Sequence, residues 1–216
     1  MCGTCDAYPC MVDAKGDADI CAMRPALESE TVKLMTNTSV ARILTAGDAV
    51  SGLEVEREGR QLTVKAERYV AAAGAVNTAA LLLRSAPDGV ANSSGMVGRN
   101  YMGHPTTFVI GSRPGRDLDI TFEKTLGLNE WYTATADTPY PLGNVQSLGK
   151  LYGETIKAAK PWAPTALLSA ICRRSVDFLA QSEDLPLPEN RVTVDAAGRI
   201  HLRWQPTGLE GHKELV

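Results

Sequence analysis

The 216 residues are 44% hydrophobic and 22% charged, with a formal net charge of -3, as in a soluble globular protein of one domain or two small ones. The slightly acidic balance, with Lys and Arg scattered, argues against nucleic acid as a main partner, because phosphate binding demands a basic face. No stretch approaches the roughly 20 apolar residues of a membrane helix, and Met1-Cys2-Gly3-Thr4-Cys5 has neither the basic opening nor the apolar core of a secretory signal.

Residues 1–16, rich in Cys, Gly and Asp, read as loop. Asp17 to Leu27 predicts a short helix capped by Asp17 and limited or bent by Pro25. Thr31 to Met35 alternates as a strand, and Ser39 to Leu44 follows after a break at Asn37-Thr38. Val50 to Arg57 and Gln61 to Lys65 form a hairpin about Glu58-Gly59-Arg60. Tyr69-Val70-Ala71-Ala72-Ala73 reads as a short buried strand ending at Gly74, with a helix from Ala75 or Asn77 to Ser85 beyond it, stopped by Pro87 and Gly89. After Ala91 turns become frequent; His104 to Ile110 and Leu142 to Leu148 predict strands. Thr165 to Gln181 carries apolar residues at mostly helical spacing, with Arg173-Arg174 on its solvated face. Arg191 to Asp195 and Arg199 to Trp204 make a hairpin, and Leu209 to Val216 begins a helix.

An apolar strand followed by a glycine and a helix has a physical use. The glycine lets a ligand approach the main chain, and the helix N-terminus offers unpaired N–H groups with partial positive charge, which suits a phosphate or pyrophosphate. A tight β–α corner without a ligand has the same pattern, and the residues alone favour that reading.

Gly74-Ala75-Val76-Asn77-Thr78-Ala79-Ala80-Leu81-Leu82-Leu83-Arg84-Ser85 resembles the second motif of the glucose–methanol–choline oxidoreductases, departing at Ala79, where Pro or Ser is usual, and at Ala86, where Gly is usual. Further segments are similar to bacterial members: Cys5-Asp6-Ala7-Tyr8-Pro9-Cys10, Asn37-Thr38-Ser39-Val40-Ala41-Arg42-Ile43, Val97-Gly98-Arg99-Asn100-Tyr101-Met102-Gly103-His104-Pro105, and Glu189-Asn190-Arg191-Val192-Thr193-Val194-Asp195. They run in the family's order over nearly the whole chain.

The resemblance implies a mixed α+β fold, with a partial FAD-binding domain over residues 1–100 and part of an antiparallel-sheet substrate (cap) domain over 101–216. It implies FAD as cofactor and oxidation of a CH–OH group of a small-molecule alcohol or sugar by hydride transfer to flavin N5. The electron acceptor stays open. It places the main chain of Val40 near the adenine, and Ala73, Gly74 and Ala75 along the nucleotide half of FAD. Nothing matches the family's Gly-rich dinucleotide motif, and its catalytic His/Asn pair would lie beyond Val216, so the chain is expected to be an internal fragment, inactive alone and with no catalytic residue of its own.

Cys2, Cys5, Cys10 and Cys21 are close enough to raise a zinc or iron–sulfur site, but the spacing is not a strong metal pattern, and packed or loosely paired thiols are the favoured reading. His104 reads as structural or as a neighbour of the pocket, His201 as a surface residue of the hairpin, and His212 as distinct from the family's catalytic base. Two other readings stand beside the flavoenzyme: a truncated non-catalytic binding or scaffold protein, and a small module built on the cysteines.

Overall fold

The computed structural model describes residues 10–118, 125–133, 136, 138 and 140–216. The fold is mixed α+β, and the chain divides into two compact units. One consists of Ala18–Met102 and Pro186–Gln205; the other of Gly103–Leu185 and Pro206–Val216 with the described residues of 1–17. Residues 186–205, grouped by sequence with 101–216, therefore lie in the unit of the first hundred residues.

The first unit opens with a π-helical turn, Asp19–Met23, running into α1, Arg24–Leu27. Pro25 has no N–H and its ring crowds the carbonyl four residues back, which accounts for the widened turn before it. Ala18, not Asp17, occupies the N-cap, without a side-chain hydrogen bond. Residues 31–36 form no ladder: Val32, Leu34 and Met35 are all exposed, and Asn37, at φ 52°, turns the chain before β1 begins. Among the described residues no strand lies beside that alternation to pair with it.

Strands β1 (Thr38–Ala46), β2 (Ala49–Arg57) and β3 (Arg60–Val64) form an antiparallel meander in that order. The β2–β3 turn has Glu58 and Gly59 both at positive φ, 52° and 74°, as a two-residue type I′ hairpin requires. The β1–β2 register shifts between Val40 and Arg42, so β1 bulges beside Ala41. Helix α2 (Gly74–Arg84) buries Ala80 and Leu81, which with Ile43, Val55 and Val192 supply the core of this unit. The hairpin of β8 (Arg191–Val194) and β9 (Ile200–Arg203) completes it, with the Val192 N–H donating to the Gly98 carbonyl at 2.7 Å.

The second unit is built on an antiparallel sheet of order β4-β7-β6-β5. Its strands are β4 (Thr106–Ser112), β5 (Gly127–Leu128), β6 (Asn144–Ser147) and β7 (Ser175–Gln181). Helices α3 (Gly153–Ala159) and α4 (Thr165–Cys172) pack on one another, and α5 (Leu209–Leu215) follows. The predicted helix over 165–181 thus ends at Cys172, and its second half is the central strand β7. Ser175, Asp177 and Ala180 are fully buried there, where β4 and β6 satisfy both edges of the strand. Arg173 and Arg174 mark the helix–strand junction and reach Asp117 at 3.3 and 3.0 Å.

Candidate functional site

The segment 69–73 is irregular, neither a strand nor buried: Val70 is 89% exposed. Its run of small apolar residues fits a buried strand, yet no described strand lies beside it to take its N–H and C=O groups. Instead it borders two clefts, both within the first unit. The larger, about 750 Å³, has walls from β1 (Thr38, Ser39, Val40), from 69–73 and from α2 (Asn77, Leu81, Arg84). The smaller, about 510 Å³, runs along Gly74, Ala75, Thr78 and Gly98.

Local chemistry shapes the corner between them. Gly74 has φ +80°, a conformation that L side chains rarely adopt, and a Cβ built there would meet nothing within 4 Å. Ala73 is the N-cap of α2, without a side-chain capping bond, and no acidic residue lies in the first turn. One strut ties the corner down: the Ala73 N–H donates to Thr78 Oγ1 at 3.0 Å. The result is an open helix N-terminus with main chain exposed.

At the other end of α2 the helix is strapped to β1. Arg84 Nη2 donates to the Val40 carbonyl at 2.7 Å, while Arg42 Nη2 reaches back to the Ser85 carbonyl at 3.3 Å. Between them the buried Ser85 hydroxyl accepts from the Ile43 N–H at 2.9 Å and donates to the Leu81 carbonyl at 2.5 Å. Val40 and Ala73 therefore line one cleft, and Gly74 and Ala75 the neighbouring one. Arg84 and Asn77 also line the larger cleft and were missed in the sequence reading. The signal was present, since residues 77, 81 and 84 stand four and three apart and share one helix face.

Residues 1–106 match the family model of the GMC oxidoreductases. The chain belongs to the GMC oxidoreductase family. Three curated relatives agree with this. Paromamine 6'-oxidase of Streptomyces fradiae is 37% identical over 50% of this chain and 21% of its own length. The 5-(hydroxymethyl)furfural oxidase of Methylovorus sp. (strain MP688) is 26% identical over 81% and 32%. The 6'''-hydroxyparomomycin C oxidase of Streptomyces lividus is 34% identical over 44% and 19%. The chain thus spans a fifth to a third of the GMC relatives it matches. Both clefts and the Gly74 corner fall within the matched residues.

No histidine of this GMC chain borders either cleft. His104 is exposed, and His201 stands 3.0 Å from Asp195 on the surface of the hairpin. His212 is buried, 2.8 Å from Thr107 Oγ1 and 2.9 Å from Ser182 Oγ, and burial pushes its pKa down. Cys2 and Cys5 lie outside the described residues. Cys10 and Cys21 are free thiols, and among the described residues no group of three or more His, Cys, Asp or Glu could hold a metal. No helix among them is long and apolar enough to cross a membrane.

Proposed function

We propose that this chain is part of an FAD-dependent enzyme that oxidises a CH–OH group of a small-molecule alcohol or sugar. One observation carries the reading: the open corner at Gly74, where an uncapped helix N-terminus and bare main chain face a cleft inside the region matched to the GMC family. The residues present fit a dinucleotide. Gly74 and Ala75 leave room and N–H groups for a pyrophosphate, while the larger cleft, mostly apolar, lies within the 300–1,000 Å³ typical of ligand sites. Bound there, the flavin would supply the hydride-accepting ring. The chain's own contribution is to hold the nucleotide half through Val40, Ala73, Gly74 and Ala75.

In this reading the unit of β1–β3, α2 and the β8–β9 hairpin is part of the FAD-binding domain, and the unit of the four-stranded sheet is part of the substrate domain. None of the three histidines has the placement of a base at the clefts, so turnover requires groups this chain does not bring there. The names of the relatives support a primary alcohol on a sugar-like or furan ring as the substrate class. Calorimetric titration of the purified chain with FAD tests the proposal. Uptake that Gly74→Val abolishes is expected; the same affinity in both would contradict the assignment of the corner.

A further inference from the structure

Strand β4 is the outermost strand of its sheet and pairs on one side only, with β7. The Ser182 N–H donates to the Pro105 carbonyl at 3.0 Å and the Arg113 N–H to the Arg174 carbonyl at 2.8 Å, so the odd-numbered residues of β4 turn their main chain to β7. Main-chain groups alternate in direction along a strand, and Thr106, Phe108, Ile110 and Ser112 therefore turn theirs to the open edge. No group among the described residues takes them. The other outer strands carry the protection that open edges need. Arg84 and Ser85 cover β1, and Gly98 covers β8. β3 opens on Arg60, β9 carries His201 and Arg203, and β5 is only Gly127–Leu128. β4 has none of these guards: it holds no charge and no proline, and its register with β7 runs without a bulge. Its apolar side chains stand out as well, Phe108 57% and Val109 39% exposed.

We infer that β4 pairs antiparallel with β4 of a second copy of this chain, about a two-fold axis at Val109. The strand is complementary to itself, which selects that occupant. Its outward residues lie symmetrically about Val109, so Thr106 meets the partner's Ser112 and Phe108 the partner's Ile110, and every outward N–H and C=O of both strands is matched. On one face this sets an aromatic side chain against a β-branched one, and on the other Val109 meets its own copy. An uncharged strand brings no repulsion to the pairing. β4 borders neither cleft, so the inference is independent of the flavin reading.

Sedimentation equilibrium of the purified chain should show a reversible dimer. Val109→Lys sets two ammonium groups opposite one another on the axis and should weaken that dimer about tenfold or more. The melting temperature of the monomer should hold, because Val109 is part-exposed and its main chain still bonds to β7. Val109→Thr, β-branched and uncharged, should keep the dimer. Cross-linking tests the register. Opposed residues of a non-hydrogen-bonded pair stand about 4.5 Å apart at Cα, within reach of a disulfide, whereas Thr106 and its copy would be about 20 Å apart. With oxidised glutathione as the oxidant, Val109→Cys should therefore cross-link faster than Thr106→Cys, each measured above the background from the native cysteines. If Val109→Lys does not fold, the two cysteine variants carry the comparison. A chain that stays monomeric at every concentration, a dimer as tight in Val109→Lys, or equal cross-linking of the two cysteine variants overturns the inference. So does protection of the Phe108 and Ile110 amides from exchange in dilute monomer, which would mean that the chain covers its own edge.

Discussion

At the scale of single residues, two glycines with nearly the same backbone differ in what surrounds them. Gly74 and Gly98 have φ +80° and +81°, but a Cβ at Gly74 meets open space, whereas one at Gly98 falls 2.6 Å from the Val192 carbonyl oxygen. Gly74→Ala should therefore cost only the left-handed backbone, about 1–2 kcal/mol. Gly98→Ala must also displace β8, and a total of about 3 kcal/mol or more is expected. Urea denaturation of the two variants measures the difference, and equal costs would contradict the packing of β8 on Gly98. Buried Asp177 is the other sensitive residue. It accepts from Ser175 Oγ at 2.6 Å and the Leu151 N–H at 2.8 Å, with Lys150 at 4.0 Å and only 12% exposed. Removing the carboxylate strands the buried Leu151 N–H and takes the counter-charge from the Lys150 ammonium, which keeps only its bonds to Ser175, so Asp177→Ala should lose about 3–5 kcal/mol in the same assay.

His212 adds a dependence on pH. Burial holds its pKa below the usual 6.5, so between the two values the unfolded chain binds a proton that the folded chain does not. The stabilisation from neutral His212 is complete above pH 6.5 and is lost as the pH falls below it, at no more than about 1.4 kcal/mol per pH unit. Melting at pH 7.5 and 5.5 should show the loss in the wild type and a shallower slope in His212→Gln.

Among the elements, the β8–β9 hairpin shows how one side chain can close a turn. Asp195 Oδ1 accepts from the Ala197 and Arg199 N–H groups, each at 2.9 Å, and Oδ2 pairs with Arg199 Nε at 2.8 Å and His201 Nε2 at 3.0 Å. The hydrogen bond from His201, then those from Arg199, lower the Asp195 pKa to about 2. The turn is therefore held above the ordinary carboxylate range and released as the pH falls from about 4 through 2. Amide exchange at Ala197 and Arg199 should accelerate over that window, and Asp195→Ala should show the fast exchange at neutral pH. This hairpin, like β2–β3, was legible in the sequence because a turn signal stood between two alternating runs. The helix predicted over 165–181 was not: Leu167, Leu168, Ile171 and Cys172 set a helical period that Phe178 and Leu179 continue by coincidence, while the alternation of Ser175, Asp177 and Leu179 with Val176, Phe178 and Ala180 acquires meaning only once β4 and β6 flank it. Residues 31–35 and 69–73 fail in the opposite direction, with strand-like patterns that meet no strand among the described residues.

On the scale of the whole molecule, the proposed division of labour predicts binding without turnover. The purified chain is expected to oxidise no alcohol or sugar in a dye-reduction assay, because no histidine lines its clefts; measurable turnover would overturn that placement. The course of the chain through the two units is only partly legible in its sequence. The composition changes near Ala91, and the units separate at Met102–Gly103, but the return of 186–205 to the first unit leaves no mark in the local pattern. It depends on Val192 meeting Gly98 and Asn190 meeting Tyr101, pairings far apart along the chain.

By itself the sequence determined the family, through the Gly74–Ser85 run and the segments in order around it, and it determined the hairpins and α2, because turn residues and helix spacing act over a few positions. Tertiary structure alone decided which apolar runs become strands, where the 186–205 hairpin docks, and that Arg84 occupies the Val40 carbonyl in the cleft. A strand's hydrogen bonds and a guanidinium's partner are supplied by residues distant in the chain, and no local pattern records which of them will arrive.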